Sequence, residues 1–464
     1  MHNQFNLVVI GGGPGGYVAA IRATQLGNKV ALIEKDRLGG ICLNWGCIPT
    51  KSLLRDSEVL HLVKNAAKYG IKISNYTVDF SASVKRSRDV SKRLSKGVEY
   101  LMKKNKITHL KGNGVIKSKN EVEVTDKTDK KSILKTNNII IATGARNSEI
   151  EGLETDGERV ITYKEALVLK QIPNRMIIIG AGAIGVEFAS FFHEYGTEVH
   201  LVEMMPQILP AEEEEISEIL TKLFTIRGIY TYTSTEVEKI DLLKTKIKVH
   251  VTSNGKTKIL EGDLALVAIG VQGNVENLGL EVVGVEVENS WIKVNEFYET
   301  SVKGIYAIGD VIGPPWLAHV ASAEGQVAAV HISGKIPKTV NYSNIPGCTY
   351  CRPQVASIGM IEKEALEAGY EIKVGRFPFR SSGKALAMGE PEGLVKVIFD
   401  AKYGELLGCH IIGTDATELI AEIGAIRTLE TTYEEILNTI HAHPTISECF
   451  MEAVADAYDR AIHI

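Results

Sequence analysis

Two stretches of the chain carry the same order of apolar runs and glycines, 169 positions apart. The first, LVVIGGGPGGYVAAIRATQLGNKVALIE, ends at Glu34; the second, MIIIGAGAIGVEFASFFHEYGTEVHLVE, ends at Glu203. In each, a short apolar run stopped by glycine predicts a buried strand, a longer segment predicts a helix, and a second apolar run predicts another strand. The step from first glycine to terminal acid is the same in both, Gly11 to Glu34 and Gly180 to Glu203. Between the units, residues 35–110 have helical periodicity, 112–135 alternate as short strands, and Ile139 to Thr143 is again apolar. Strand patterns return from Ala265 to Asp310, and past Ile345 they interleave with helices at Cys348–Gly359, Leu394–Phe399 and Leu407–Ile412.

A chain of 464 residues exceeds what one core of roughly 250–300 residues holds. The expected fold class is α/β, with two Rossmann-like dinucleotide-binding domains followed by a carboxy-terminal α+β domain. The expected division is 1–145, completed by about 271–344, then 146–270, then 345–464.

Hydrophobic residues at 44% and charged residues at 23% describe an ordinary globular protein. A net charge of −5 argues against a general nucleic-acid or anionic-membrane binder, and the basic stretch Lys85 to Lys106 reads as a solvated helix face. The strand at Phe5–Ile10 begins too early for a secretory leader, which leaves the cytoplasm as the expected compartment. Met176–Phe192 is apolar but is interrupted by three glycines and Glu187, short of the roughly 20 residues needed to span a bilayer. Six cysteines are too few for a disulfide scaffold, so a close pair is catalytic, regulatory or metal-binding.

Each glycine of G-x-G-x-x-G has a physical task. Gly11 permits a tight turn, Gly13 lets backbone approach a pyrophosphate, and Gly16 allows close helix–strand packing. Gly180, Gly182 and Gly185 repeat the pattern. The helix amino terminus beyond each turn favours phosphate, and Glu34 and Glu203 stand where ribose hydroxyls are bonded. A carboxylate at 203 repels a 2′-phosphate, which favours NAD over NADP in the second unit.

GGICLNWGCIPTKSLL, Gly39 to Leu54, spaces its cysteines as C-x4-C. In a regular helix five residues rise about 7.5 Å, beyond the roughly 7 Å limit for a disulfide. Cys42 and Cys47 therefore pair only across irregular backbone, which Gly39, Gly40, Gly46 and Pro49 permit. Such a bond should exchange readily, and a helix starting just past Cys47 favours its thiolate.

These motifs together resemble the pyridine nucleotide–disulfide oxidoreductases over essentially the whole chain. Within that family the resemblance is to the branch that reoxidises dihydrolipoyl groups carried by a protein partner, an E2 core or a glycine-cleavage H-type carrier. It implies FAD in the first unit, bound also by Gly114, Ala142-Thr143-Gly144, Asp310 of TSVKGIYAIGD, and Ala318. It implies NAD in the second, with Glu187 and Gly270 beside the glycine turn and Glu203, and a homodimer formed through the carboxy-terminal domain. Cys47 becomes the flavin-side thiol, Cys42 the thiol that exchanges with substrate, and Lys51 a neighbour of the flavin ring, its plainer reading being a helix-surface lysine. Thiol exchange needs a base, and in HAHPTISE the resemblance makes His443 that base, with Glu448 orienting it. Thr445-x-x-Glu448 also has the form of a capping box, and His441 reads as a packing residue.

Cys348-x-x-Cys351 departs from the family pattern. It reads as two ordinary thiols, with a second redox couple or half a zinc site completed by Cys409 and His410 as alternatives; no metal is expected. Gln272 and Gly273 replace the family's usual Arg-Pro. The rival readings are a glutathione or mercuric reductase, against which Glu203 and a cysteine-free tail stand, and a subunit that mainly docks within a multienzyme assembly.

Overall fold

A computed structural model describes residues 4–464. The first apolar run forms a strand, β1 (Gln4–Ile10), followed by helix α1 (Pro14–Gln25) and strand β2 (Val30–Glu34). β1 and β2 pair in parallel with Leu7 opposite Val30 and Ile10 opposite Ile33. The second unit, strand Arg175–Ile179, helix Ala183–Glu194 and strand Glu198–Val202, repeats this register, Met176 opposite Val199 and Ile179 opposite Val202. Equal spacing in sequence has become equal register in space.

The first sheet runs in the order Thr108–Lys111, β2, β1, Lys131–Ile141, Glu121–Thr125, Asn113–Ser118. Ile305–Ala307 pairs in parallel with Lys131–Ile141, so a segment far down the chain returns to the first sheet. The second sheet has five parallel strands, with Leu264–Val267 beside Arg175–Ile179. Parallel strands buried on both faces read as continuous apolar runs, and Met176, Ile177, Ile178 and Ile179 are all buried.

Between β2 and the strand at Thr108 come three helices, α2 (Gly40–Trp45), α3 (Cys47–Lys64) and α4 (Phe80–Lys104). Past residue 345 a five-stranded antiparallel sheet, ordered Gly347–Thr349, Gln354–Gly359, Leu406–Gly413, Leu394–Asp400, Ile372–Pro378, carries helices Ala416–Thr428 and Glu448–Ala457. The expected Cys348–Gly359 strand is thus split, and the break at 350–353 places Tyr350 and Cys351 off the ladder. Among the described residues no helix is long and apolar enough to cross a membrane.

Candidate active site

The cysteine pair lies at a helix break. α2 ends at Trp45, Gly46 takes φ −136° and ψ −111°, and α3 begins at Cys47 itself, one residue earlier than expected. Gly39 and Gly40 enter α2 with φ of 98° and 57°, a left-handed region that favours glycine. A side chain at Gly40 would set its Cβ 2.7 Å from the Cα of Gly13, so the cysteine loop touches the first glycine turn.

The break brings the two free thiols into hydrogen-bond contact. That bond divides their acidities. Cys47 is lowered to about 7 by the bond from Cys42, with burial opposing and Lys51 and its own backbone N–H assisting. Cys42 is pushed far above the ordinary thiol range by the same bond and by burial. The pair is therefore divided into a more acidic Cys47 and a less acidic Cys42.

One turn along α3, Lys51 Nζ donates to both carboxylate oxygens of Glu187 at 2.8 and 2.9 Å. It also lies 4.5 Å from the centre of the Tyr350 ring, and the Tyr350 N–H donates to Glu187 Oε1 at 2.9 Å. The cysteine helix, the second-unit helix and the carboxy-terminal segment meet at this point. Tyr350 lies inside the Cys348-x-x-Cys351 motif but carries no sign of this role in the sequence, because its placement depends on the distant strand Gly347–Thr349.

The glycine turns divide by what surrounds them. A Cβ on Gly16 would sit 2.0 Å from Gly11 O, and one on Gly185 would sit 1.9 Å from Gly180 O. Gly13 and Gly182 are open, with the nearest foreign atom at 3.8 Å and nothing within 4 Å respectively. Glu34 Oε2 accepts the Gly12 N–H at 2.7 Å and Oε1 the Asp36 N–H at 2.7 Å. Glu203 does the same with Ala181 at 2.7 Å and Met205 at 2.9 Å. Each acid ties its strand end to its glycine turn, keeping spare lone pairs.

Asp310 follows the returning strand Ile305–Ala307, and burial, then Glu324, raises its carboxyl to about 6. Thr143 and Asn274 exchange hydrogen bonds at 2.8 and 2.9 Å, fixing the Ala142–Gly144 turn. Gly114 abuts Ile33 and Ile10, Ala318 opens the helix packed along α1, and Gly270 leaves the second sheet with φ 112°. The first unit thus offers a free helix amino terminus without acids in its first turn, an open glycine and two carboxylates at strand ends. That set fits a dinucleotide with ribose and ribityl hydroxyls, and the second unit fits a second dinucleotide.

His443 Nδ1 is 2.9 Å from Glu448 Oε1, and Glu448 Oε2 accepts the Thr445 N–H at 2.8 Å. Burial opposes ionisation of Glu448, but the Thr445 N–H and the His443 ring hold its carboxyl below the usual range. The helix begins at Glu448 with Ser447 before it, so Thr445 does not cap it. The His443 side chain is 79% exposed, whereas Cys42 and Cys47 of the same chain are half-buried at the helix break. His441 bonds Glu422 at 2.9 Å with its side chain buried. Unforeseen in the sequence, His463 bonds Glu452 at 2.6 Å, close enough to Glu448 to act on its charge.

Cys351 is buried and donates to Pro353 O at 3.0 Å; burial pushes its thiol up, and burial followed by Glu212 raises Cys348 to about 11. Cys409 is also buried, and His410 Nε2 lies 2.9 Å from Met360 O. Among the described residues no three His, Cys, Asp or Glu side chains are grouped to hold a metal ion. The zinc alternative has no ligand set.

A dithiol poised at a helix break, set against one of two dinucleotide turns, defines a two-nucleotide disulfide oxidoreductase. The family model for pyridine nucleotide-disulphide oxidoreductase matches residues 5–325 and that for its dimerisation domain matches 345–454, and the chain belongs to this family. Relatives named dihydrolipoyl dehydrogenase include those of Zymomonas mobilis, 46% identical with both chains fully covered, and Bacillus subtilis, 41% identical with both fully covered. LpdA from Mycobacterium tuberculosis superposes with a TM-score of 0.90 at 24% identity, covering 97% of this chain and 99% of that one, a likeness of fold. RclA from Escherichia coli, a HOCl-induced flavoprotein disulfide reductase solved with Cu(II), gives 0.87 at 26% identity over 97% and 99%. FAD and NAD(H) are the cofactors, the α/β class with a carboxy-terminal dimerisation domain holds, and the protein is a homodimer.

Proposed function

We propose that the chain oxidises protein-bound dihydrolipoyl groups to the lipoyl disulfide and passes the electron pair to NAD+, as the E3 component of 2-oxo-acid dehydrogenase or glycine-cleavage complexes. The observation that carries this reading is the position of the two thiols at a helix break whose loop touches the first glycine turn. In the oxidised form Cys42 and Cys47 are joined. A substrate thiolate attacks the Cys42 sulfur, and the Cys42–Cys47 bond breaks with Cys47 leaving. A leaving thiol lowered to about 7 departs readily. The second substrate thiol then displaces Cys42, closing the lipoyl disulfide, and Cys42, whose thiol is held high, takes a proton. FAD, bound against the first glycine turn, supplies the two-electron relay between dithiol and nicotinamide.

His443, fixed through Nδ1 by Glu448, takes the proton of the incoming thiol; being exposed in its own chain, it serves the pair of the other protomer. Lys51 and Glu187 set the charge beside Cys47, while Glu34, Asp310, Gly114, Ala142–Gly144 and Ala318 hold FAD. Glu203, Gly270 and the second glycine turn hold NAD. The division into 1–145 with 271–344, 146–270 and 345–464 is supported by their separate sheets. A cytoplasmic location is supported by the cysteine count, six in the chain being too few for a disulfide scaffold. Purified protein mixed anaerobically with dihydrolipoamide and NAD+ should form NADH. Turnover of glutathione disulfide with NADPH instead would sink the reading.

A further inference from the structure

Glu324 is a buried acid to which the thiol chemistry gives no task. It is 3% exposed, on the helix Ala318–Ile332. Its carboxylate is met by a backbone N–H and a hydroxyl rather than by a cation: Oε2 accepts the Gly309 N–H at 2.6 Å and Oε1 the Tyr342 O–H at 2.7 Å. Burying a carboxylate is costly even when it is hydrogen-bonded, so the position calls for a function.

The geometry supplies one. The strand ladder of the first sheet ends at Ile308, whose N–H donates to Ile141 O at 3.0 Å. Beyond it Gly309 turns with φ 71°, its N–H goes to Glu324, and Asp310 follows. The charge of Glu324 also bears on Asp310, adding to the effect of burial. The helix that carries Glu324 is pressed against this turn and against the first glycine turn. A Cβ on Gly309 would sit 3.1 Å from Ala321 Cβ, and one on Gly325 would sit 2.7 Å from Gly15 O. Glu324 is itself held from a distance. The Tyr342 hydroxyl lies 3.0 Å from that of Tyr298. Two residues on, Asn344 bonds Arg427 and Thr428 of the carboxy-terminal domain at 3.0 and 2.8 Å.

We propose that Glu324 is a positioning residue of the flavin site, aiming Asp310 at FAD through the Gly309 N–H and held in turn by Tyr342. The inference rests on the assignment of Asp310 to FAD given above, and not on the identity of the dithiol substrate.

The test follows exchange of bound FAD for radiolabelled FAD in the loaded dimer. It compares wild type with Glu324→Met, Glu324→Gln, Tyr342→Phe, the Glu324→Met/Tyr342→Phe double variant and Asp310→Ala. A hydrogen bond to a charged group is lost in Glu324→Met, so exchange should quicken about ten-fold or more. Tyr342→Phe should quicken it less, and the double variant should be no faster than Glu324→Met, because Tyr342 acts through Glu324. In Glu324→Gln the Tyr342 hydroxyl can reverse and accept from the amide, whereas the Gly309 N–H can only donate. The amide oxygen therefore stays on Gly309, and exchange should be slower than in Glu324→Met. Wild-type exchange in Glu324→Met overturns the inference, as does a Gln variant as fast as the Met variant. Effects that multiply in the double variant overturn the relay from Tyr342. Should Glu324→Met not fold, wild-type exchange in both Tyr342→Phe and Glu324→Gln overturns it as well. Wild-type exchange in Asp310→Ala refutes the assignment of Asp310 instead, and the inference falls with it.

Discussion

Lys51 and Glu187 meet at 2.8 Å although 136 positions separate them. One belongs to the cysteine helix and the other to the helix behind the second glycine turn, so the ion pair joins the two nucleotide units beside the reactive sulfurs. Breaking a fully buried pair costs roughly 3–5 kcal/mol. The Lys51 side chain is 32% exposed and that of Glu187 6%, so Lys51→Met is expected to cost about 2 kcal/mol in thermal or denaturant unfolding. Because Lys51 helps lower Cys47, the same variant should raise the pH at which the reduced enzyme is alkylated by iodoacetamide. An unmoved alkylation midpoint would remove Lys51 from the electrostatics of the pair.

Cys47, lowered to about 7, should become reactive as pH rises through that value, below the roughly 8.5 of a free cysteine. Cys42→Ala deletes the side-chain hydrogen bond that contributes most to the lowering. The alkylation midpoint of Cys47 should move upward and dihydrolipoamide oxidation should vanish, while NADH-dependent dye reduction survives. Loss of both activities would instead point to collapse of the cysteine loop.

The twin units were legible because a parallel strand buried on both faces has to be apolar end to end, as at Leu7–Ile10 and Met176–Ile179, and because Gly16 and Gly185 admit no side chain. The cysteine pair was legible because its spacing forbids a regular helix. What joins the units was not. Neither Lys51 nor Glu187 carries a local sign of its partner, and Tyr350 reaches both only after three separate sheets have packed. The Thr445–Glu448 spacing is half realised: Glu448 accepts the Thr445 N–H from the first position of its helix, and its other oxygen is taken by His443.

The dyad makes a graded prediction. Removing a general base typically costs about 10²–10⁴-fold in rate, so His443→Gln should lose about that much dihydrolipoamide oxidation and keep dye reduction. Glu448→Gln still accepts the Thr445 N–H but loses the negative charge facing the ring. Its rate should fall less than that of His443→Gln, with unfolding little changed because the His443 side chain is 79% exposed. Equal losses in the two variants would mean that Glu448 does more than orient and charge-balance the imidazole.

Gly16 and Gly185 separate the two nucleotides. In Gly16→Ala the new methyl would sit 2.0 Å from Gly11 O, and in Gly185→Ala 1.9 Å from Gly180 O. Both obstacles are backbone, so the helix has to move away from its turn, and its amino terminus leaves the phosphate position. With FAD in the first unit and NAD in the second, Gly16→Ala should purify with much less bound flavin. Gly185→Ala should stay yellow, accept electrons from dihydrolipoamide, and require far more NAD+ for turnover. Flavin content measured after heat release, alongside the NAD+ concentration at half-maximal rate, decides the matter. Loss of flavin from the Gly185 variant with retention in the Gly16 variant would reverse which unit holds which cofactor.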